Sequence, residues 1–179
     1  MKTKLVFLFI VCCLSGFAQT KMVSKTGKIT FEASVPAFEE VKAQNESVTC
    51  ILNPSTGEIA ALALIKSFRF KVALMEEHFN ENYMESDTYP KATFKGKIVD
   101  FDFSKLTATA KEFTIKGKLE MHGKIKDITL IATLKKSGDS VDIDSNFTVN
   151  TDDFAIDIPS VVSKKVNKKV AIKIDVILK

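Results

Sequence analysis

Along most of the chain apolar and polar residues alternate one by one, the period-two pattern of a strand with one buried face. In "KITFEASV" Ile29, Phe31, Ala33 and Val35 fall on one side, and charged or hydroxylated residues fall on the other. "SVTCIL" and "EIAALALI" flank Asn53-Pro54-Ser55-Thr56-Gly57, a cluster of turn formers, and together predict a hairpin. "KATFKGKI" contributes Phe94 and Ile98. "EFTIKGKLEM" contributes Phe113, Ile115, Leu119 and Met121 against Glu112, Lys116, Lys118 and Glu120. After a His122-Gly123 turn the alternation resumes through Ile128, Leu130, Ala132 and Leu134, then through Val141, Ile143, Phe147 and Val149. A last row runs through Val170, Ile172, Ile174 and Val176.

These rows predict an all-β fold of eight sequential strands with mostly short connections. Eight one-sided strands must bury their faces together and hide their edges. An up-and-down antiparallel barrel does both, and a two-sheet sandwich is the competing arrangement. Gly96 and Gly117 fall on apolar rows inside strands, where glycine marks a bend or leaves room, and this favours the barrel. The chain has no tryptophan and no Cys-Trp-Cys spacing of the immunoglobulin type.

One segment breaks the rhythm. In "VALMEEHFNENYME", residues 72–85, Met75, Phe79 and Tyr83 recur every four residues, while Glu76, Glu77, Asn80 and Glu81 face away. This predicts one short amphipathic helix between the third and fourth strands. Its apolar stripe needs a cover, and an end of the barrel is the nearest apolar surface.

The N-terminus changes the expected compartment. A basic MKTK stub precedes an apolar run over Leu5–Leu14 and the small-residue site Ser15-Gly16-Phe17-Ala18, the layout of a signal peptide cleaved after Ala18. About ten apolar residues are too few for a spanning helix, which needs roughly 20. Val11 before Cys12, and Cys12 before Cys13, do not supply the small residue that a lipid-anchored cysteine requires. The expectation is therefore an exported protein with one domain over residues 19–179 and no transmembrane segment. Losing Lys2 and Lys4 with the leader lowers the 26 basic residues to 24 against 22 acids, so much of the basic character belongs to the leader. Arg69 is the sole arginine, which argues against nucleic acid as a partner. Cys50 alone remains, flanked by Val48 and Leu52 on an alternating row, and reads as a small buried hydrophobe.

Candidate chemistry is sparse. Glu77, His78 and Glu81 lie close on one helix, but the spacing is not HExxH and no second histidine is near, so solvated helix carboxylates are the commoner reading. His122, placed by alternation on the polar face, reads as a turn residue holding backbone groups more readily than as a catalytic base. No nucleophile elbow, paired-carboxylate context or phosphate-binding glycine loop occurs, and no cofactor is implied. "KKVNKK", Lys164–Lys169, would suit transient contact with an anionic membrane surface, though such runs are more often solvated loops. Asn45-Glu46-Ser47 and Asn146-Phe147-Thr148 match the glycosylation sequon, the second within a strand.

Three stretches, in order, carry a family resemblance: "MESDTYPKATFKGKIV", "GKLEMHGKIKDITL" and "FTVNTDDFAIDIP". With the leader and first strand they make the whole mature chain similar to the YceI-like family of exported, lipocalin-like barrels. The chain departs from the family pattern at Glu120 and at Lys124-Ile125. The resemblance implies an eight-stranded antiparallel barrel around an apolar channel that holds a long-chain isoprenoid, with the helical insertion near one end. It also implies a periplasmic location ahead of a fully secreted one. The side chains expected to form that channel and its cap are Phe31, Val35, Phe79, Tyr83, Phe94, Ile98, Phe113, Leu119, Met121, Leu130, Phe147 and Ile172. The expected function is carriage or sequestration of a polyisoprenoid or similar apolar lipid, not enzymatic turnover. A ligand-free barrel with a solid core, acting through its helix or lysine loop, is the alternative. Homodimerisation stays open.

Overall fold

A computed structural model describes residues 21–179, so the leader expected over residues 1–18 lies outside the described residues. The chain runs through β1 (Met22–Ser34), β2 (Lys42–Leu52), β3 (Glu58–Leu64), the two-residue β4 (Arg69–Phe70) and the helix α1 (Ala73–His78). It continues through β5 (Lys91–Ile98), β6 (Lys111–Met121), β7 (Lys124–Ser137), β8 (Ser140–Asn150) and β9 (Val166–Leu178). Neighbours pair antiparallel in the order β1-β9-β8-β7-β6-β5-β3-β2, and β2 returns to β1 from Met22↔Leu52 to Glu32↔Lys42. The result is a closed eight-stranded antiparallel barrel with one helical insertion between its third and fourth long strands, as the alternation predicts.

The short β4 is not visible in the alternation. β3 stops at Leu64, a 3₁₀ turn over Ile65–Ser67 interrupts it, and the chain then re-pairs with β2 through Ala43↔Phe70 and Gln44↔Arg69. β4 thus resumes the place in the barrel wall that β3 vacates. The break leaves backbone groups to satisfy, and the fully buried Asn45 does part of this. Its Nδ2 donates to the Leu64 carbonyl at 3.0 Å, and its Oδ1 accepts from the Ser47 amide at 2.9 Å. A buried amide of this kind is retained because an unpaired carbonyl there would cost about 1–3 kcal/mol. It also removes Asn45 as a glycan acceptor in the folded chain.

Two tight features set the register of the β5–β6–β7 wall. The His122-Gly123 connection has φ of 51° and 68°, the double left-handed geometry of a two-residue hairpin turn whose twist matches its strands. On β5 and β6, Gly96 and Gly117 sit directly opposite each other. A Cβ on Gly117 would lie 2.5 Å from the Lys95 carbonyl oxygen and 2.6 Å from Phe94 Cζ. The glycine pair therefore leaves room, without a register shift, for the Phe94 ring to lie down on the sheet.

The end of the barrel formed by the β2–β3 and β7–β8 turns is solid. Leu52, Ile98, Leu134, Val141 and Leu178 are at most 1 % exposed and interlock there. The 99–110 connection crosses this end. It carries a 3₁₀ turn (Phe103–Lys105) capped by Asp102, inserts Leu106, and is pinned by the Lys136 amide donating to the Thr107 carbonyl at 2.8 Å. Each such buried aliphatic side chain contributes about 1.5–3 kcal/mol.

Gly117→Val is expected to lower unfolding free energy by about 2–3 kcal/mol, because the obstruction is backbone oxygen as well as a ring. Lys116→Val, adjacent but outward-facing, should stay within about 0.5 kcal/mol in the same urea titration. Equal effects would show that the glycine pair is not sterically required.

Candidate functional site: an apolar cavity under a helical cover

Toward the other end the same rows stop interlocking and enclose a cavity of about 400 Å³. Its floor is built by Ile115, Leu130, Ala132, Ile143 and Val176, which belong at once to the cavity wall and to the solid cluster below. The void exists above this level because the inward positions become small: Ala33 on β1, Ala61 and Ala63 on β3 and Ala92 on β5 all line it. Opposite them stand Leu119, Phe147 and Ile172. The barrel interior is thus half filled and half hollow, which modifies the expectation of one continuous channel.

The cover is the inserted segment. α1 continues into a wider π-helical turn over Phe79–Tyr83. On an α-helix a strict spacing of four overshoots the 3.6-residue turn by about 40° per step. The wider turn, closed by i→i+5 bonds, reverses that drift and keeps Met75, Phe79 and Tyr83 on the cavity side. Phe79 anchors the segment. Its ring stacks on Phe31 at 5.2 Å and 25°, and meets Phe70 and Phe68 at 5.2 and 5.8 Å. α1 has no side-chain cap at its N-terminus; instead Glu76 ties it to β4, accepting from Arg69 Nη1 at 2.7 Å and from the Phe70 amide at 3.1 Å. Glu77 and Glu81 are exposed on the far side. Among the described residues no group of three metal-ligating side chains forms.

The far end of the insertion is fastened by the hairpin turn. His122 Nδ1 lies 3.0 Å from the Phe154 carbonyl, so Nδ1 carries the hydrogen and donates, and the ring packs against Tyr89 at 4.6 Å. Nε2 is 3.5 Å from Glu85 Oε1 and is buried without a hydrogen bond. Alternation assigned His122 to the polar face. The left-handed turn takes it out of the strand's in-out rhythm, and its side chain ends only 9 % exposed.

Nine of the twelve side chains expected to form the channel and cap line the cavity: Phe31, Phe79, Tyr83, Phe94, Leu119, Met121, Leu130, Phe147 and Ile172. Three do not. Val35 lies beyond the last residue of β1, where the chain turns and its carbonyl accepts from the Phe38 amide. Ile98 is 1 % exposed within the solid end, and Phe113 packs against that cluster beside Phe101 at 6.2 Å. Alternation reports the side of the sheet and carries no information on depth along the barrel. The alternating rows include Ala33 but do not single out Ala61, Ala63 or Ala92, and they do not reach the closing loop, where Ile156 and Ile158 are buried and line the cavity. Their signal was the period-two spacing of Phe154, Ile156 and Ile158.

Polar chemistry inside the cavity is muted. Ser145 faces it, but its hydroxyl donates to the Ile131 carbonyl at 2.7 Å. Burial pushes the Cys50 thiol up to about 11, so at neutral pH it is a protonated, apolar wall element. Thr151 also lines the wall, with its Oγ1 buried and lacking a hydrogen-bond partner. The other ionisable groups on the lining, Glu39, His78, Tyr83 and Lys165, come from the inserted segment and the connections at the cover end. An interior of this kind retains apolar matter and offers water nothing.

Comparison with known proteins gives the same fold. A polyisoprenoid binding domain from Saccharophagus degradans superposes with a TM-score of 0.77 at 12% identity, covering 89% of this chain and 97% of that one. BcnA from Burkholderia cenocepacia gives 0.70 at 17%, covering 86% and 96%, and the Campylobacter jejuni YCEI protein 0.62 at 17%, covering 80% and 86%. At such identities the likeness establishes architecture only. No match was found among curated proteins. The model of the YceI-like domain matches residues 17–178, nearly the full length, and the chain belongs to the YceI-like family.

Proposed function

We propose that this protein is an exported lipid-binding barrel that takes a long apolar chain, of the polyisoprenoid class, into the cavity beneath the 72–85 cover. The observation that carries the reading is the 400 Å³ void with its nearly unbroken apolar wall. A solid-core module acting through its surface would have no reason to keep alanine at positions 61, 63 and 92 where the opposite wall leaves space. The volume lies within the range of small-molecule sites, roughly 300–1,000 Å³. Each buried methylene is worth about 0.8 kcal/mol, so a tail of about fifteen carbons would gain on the order of 10 kcal/mol before immobilisation costs. Kinship with a protein described as polyisoprenoid-binding supports the ligand class. The reading is of a binder and not an enzyme, in keeping with a nearly apolar wall on which two of the nearby polar groups serve the backbone. His122 serves the Phe154 carbonyl and Ser145 the Ile131 carbonyl.

Organic extraction of the purified protein followed by mass spectrometry should release one apolar lipid in a reproducible molar ratio. Leu119→Lys places an ammonium on the cavity wall and is expected to abolish uptake. Phe113→Leu, off the cavity, should leave uptake intact. A Leu119→Lys variant that melts cooperatively and still carries lipid at the wild-type ratio would remove this cavity as the site. Export makes a separate prediction: intact-mass analysis of protein expressed as the full chain should find a species beginning at Gln19, and retention of residues 1–18 would contradict it.

A further inference from the structure

We propose that the rim of the cavity mouth, led by the 160–165 turn, docks on the surface of an anionic lipid bilayer, so that ligand passes between membrane and cavity without crossing water. The inference rests on the lipid-binding reading above. Of the four connections at the covered end, three carry a large apolar side chain exposed to solvent. Phe38, between β1 and β2, is 47 % exposed; Leu74, on α1, is 56 % exposed; and Val161, in the turn before β9, is 87 % exposed. Each adjoins the cavity. Phe38 lines it directly, Leu74 precedes the lining Met75, and Val161 precedes the lining Val162. The first two connections are tied together by Lys71 and Glu40 at 2.6 Å. These are single residues on separate loops around an opening, unlike the contiguous apolar patch that marks a protein partner. Such tips enter the interfacial layer of a bilayer at little structural cost.

Charge selects which part of the rim leads. Residues 158–170 contain Lys164, Lys165, Lys168 and Lys169 and no acid. Lys168 is held by Asp152 at 2.9 Å, whereas among the described residues neither Lys164 nor Lys165 has a carboxylate within ion-pair distance. The same connection also carries the exposed Asp152, Asp153 and Asp157, but Asp152 and Asp153 are ion-paired with Lys168 and Lys126 at 2.9 and 3.0 Å, and the four lysines outnumber these three acids. On the other two connections Glu39, Glu77 and Glu81 are exposed with no cation within ion-pair distance among the described residues. An anionic surface therefore attracts the Val161 lip and repels the helix flank, which tilts the barrel with that lip against the headgroups. Each lysine near such a surface is worth about a fivefold change in partition.

The test uses protein expressed as the full chain and purified after processing. Its association is measured by flotation with vesicles of phosphatidylcholine alone and of phosphatidylcholine mixed with phosphatidylglycerol. Wild type should favour the mixed vesicles. Lys164→Gln should weaken that association about fivefold and leave the neutral vesicles unaffected. The Leu74→Ser/Val161→Ser double variant should weaken both by on the order of tenfold. Neither variant touches the cavity lining, so uptake of geranylgeraniol from detergent micelles should be unchanged. Wild type that takes up geranylgeraniol from micelles but floats with neither vesicle overturns the docking surface and leaves the carrier reading standing. Wild type that takes up nothing from either source fells the carrier reading and the docking proposal with it. A dimer in solution that the double variant dissolves would assign the tips to a second copy of this chain and likewise overturn bilayer docking.

Discussion

The β1–β2 ladder is the contact on which the molecule depends, because it turns an eight-stranded sheet into a tube. Without it, β1 and β2 would each expose a row of amides and carbonyls and leave their inward faces half covered. With it, Ile29 and Phe31 from the first strand and Val48 and Cys50 from the second face the same interior as Ile172 and Ile174 on the last strand. The Phe31 ring then becomes available to stack on Phe79. The cover is therefore anchored on a residue that closure brings against Ala43 of β2, beside the insertion. Sheet hydrogen bonding and cavity formation are two consequences of one pairing.

Side-chain volume decides what the tube contains. Closure gives every inward residue the same direction, and the size of each determines whether opposing rows touch. At the solid end leucine, isoleucine and valine meet across the axis, with Leu106 filling from the crossing loop. At the covered end Ala33, Ala61, Ala63 and Ala92 face Leu119 and Phe147 across a gap. Close packing is the general rule for protein interiors, so an apolar gap of this size is favourable contact forgone. The solid half supplies stability that the hollow half does not, which is why one barrel can hold both.

The strands and their inward faces were legible in the sequence because in-out alternation is a local property, readable from eight residues at a time. The Met75, Phe79, Tyr83 stripe was legible for the same reason. What was not legible depends on pairings between distant segments. Whether Ile98 and Phe113 fall in the solid or the hollow half is set by the register of β5 against β6 and of both against the crossing loop, and no local pattern encodes it. The two-residue β4 carries no periodic signal at all, since its identity comes from Ala43 and Gln44 on another strand. The α-to-π transition is intermediate: the spacing of four is compatible with it, but the turn forms where Phe79 meets three rings from distant segments, which no local pattern encodes. His122 was legible as a turn residue engaging backbone. Its burial was not, because a left-handed φ moves a side chain off the face that alternation assigns.

The two ends of the barrel differ in how tightly each is held, and this bears on ligand entry. The solid end is secured by interlocked side chains and backbone hydrogen bonds, which release only with unfolding. The cover is secured by a different class of contact. α1 has no fully buried residue and no N-terminal cap, and its ties are the Glu76 carboxylate on Arg69 and Phe70, the Phe79 ring cluster, and the Tyr89–His122 contact at its far end. Local opening draws on the least buried segments of a structure, and this segment meets that description while the strands beneath it do not. An apolar chain entering between the cover and the 155–165 connection would displace ring contacts that it replaces with contacts of its own, so the cost of opening is offset at the moment of filling. The same substitution is unavailable at the solid end, where displaced side chains would meet only backbone. For the proposed lipid ligand, the direction of entry would follow from the chemistry of the fastenings.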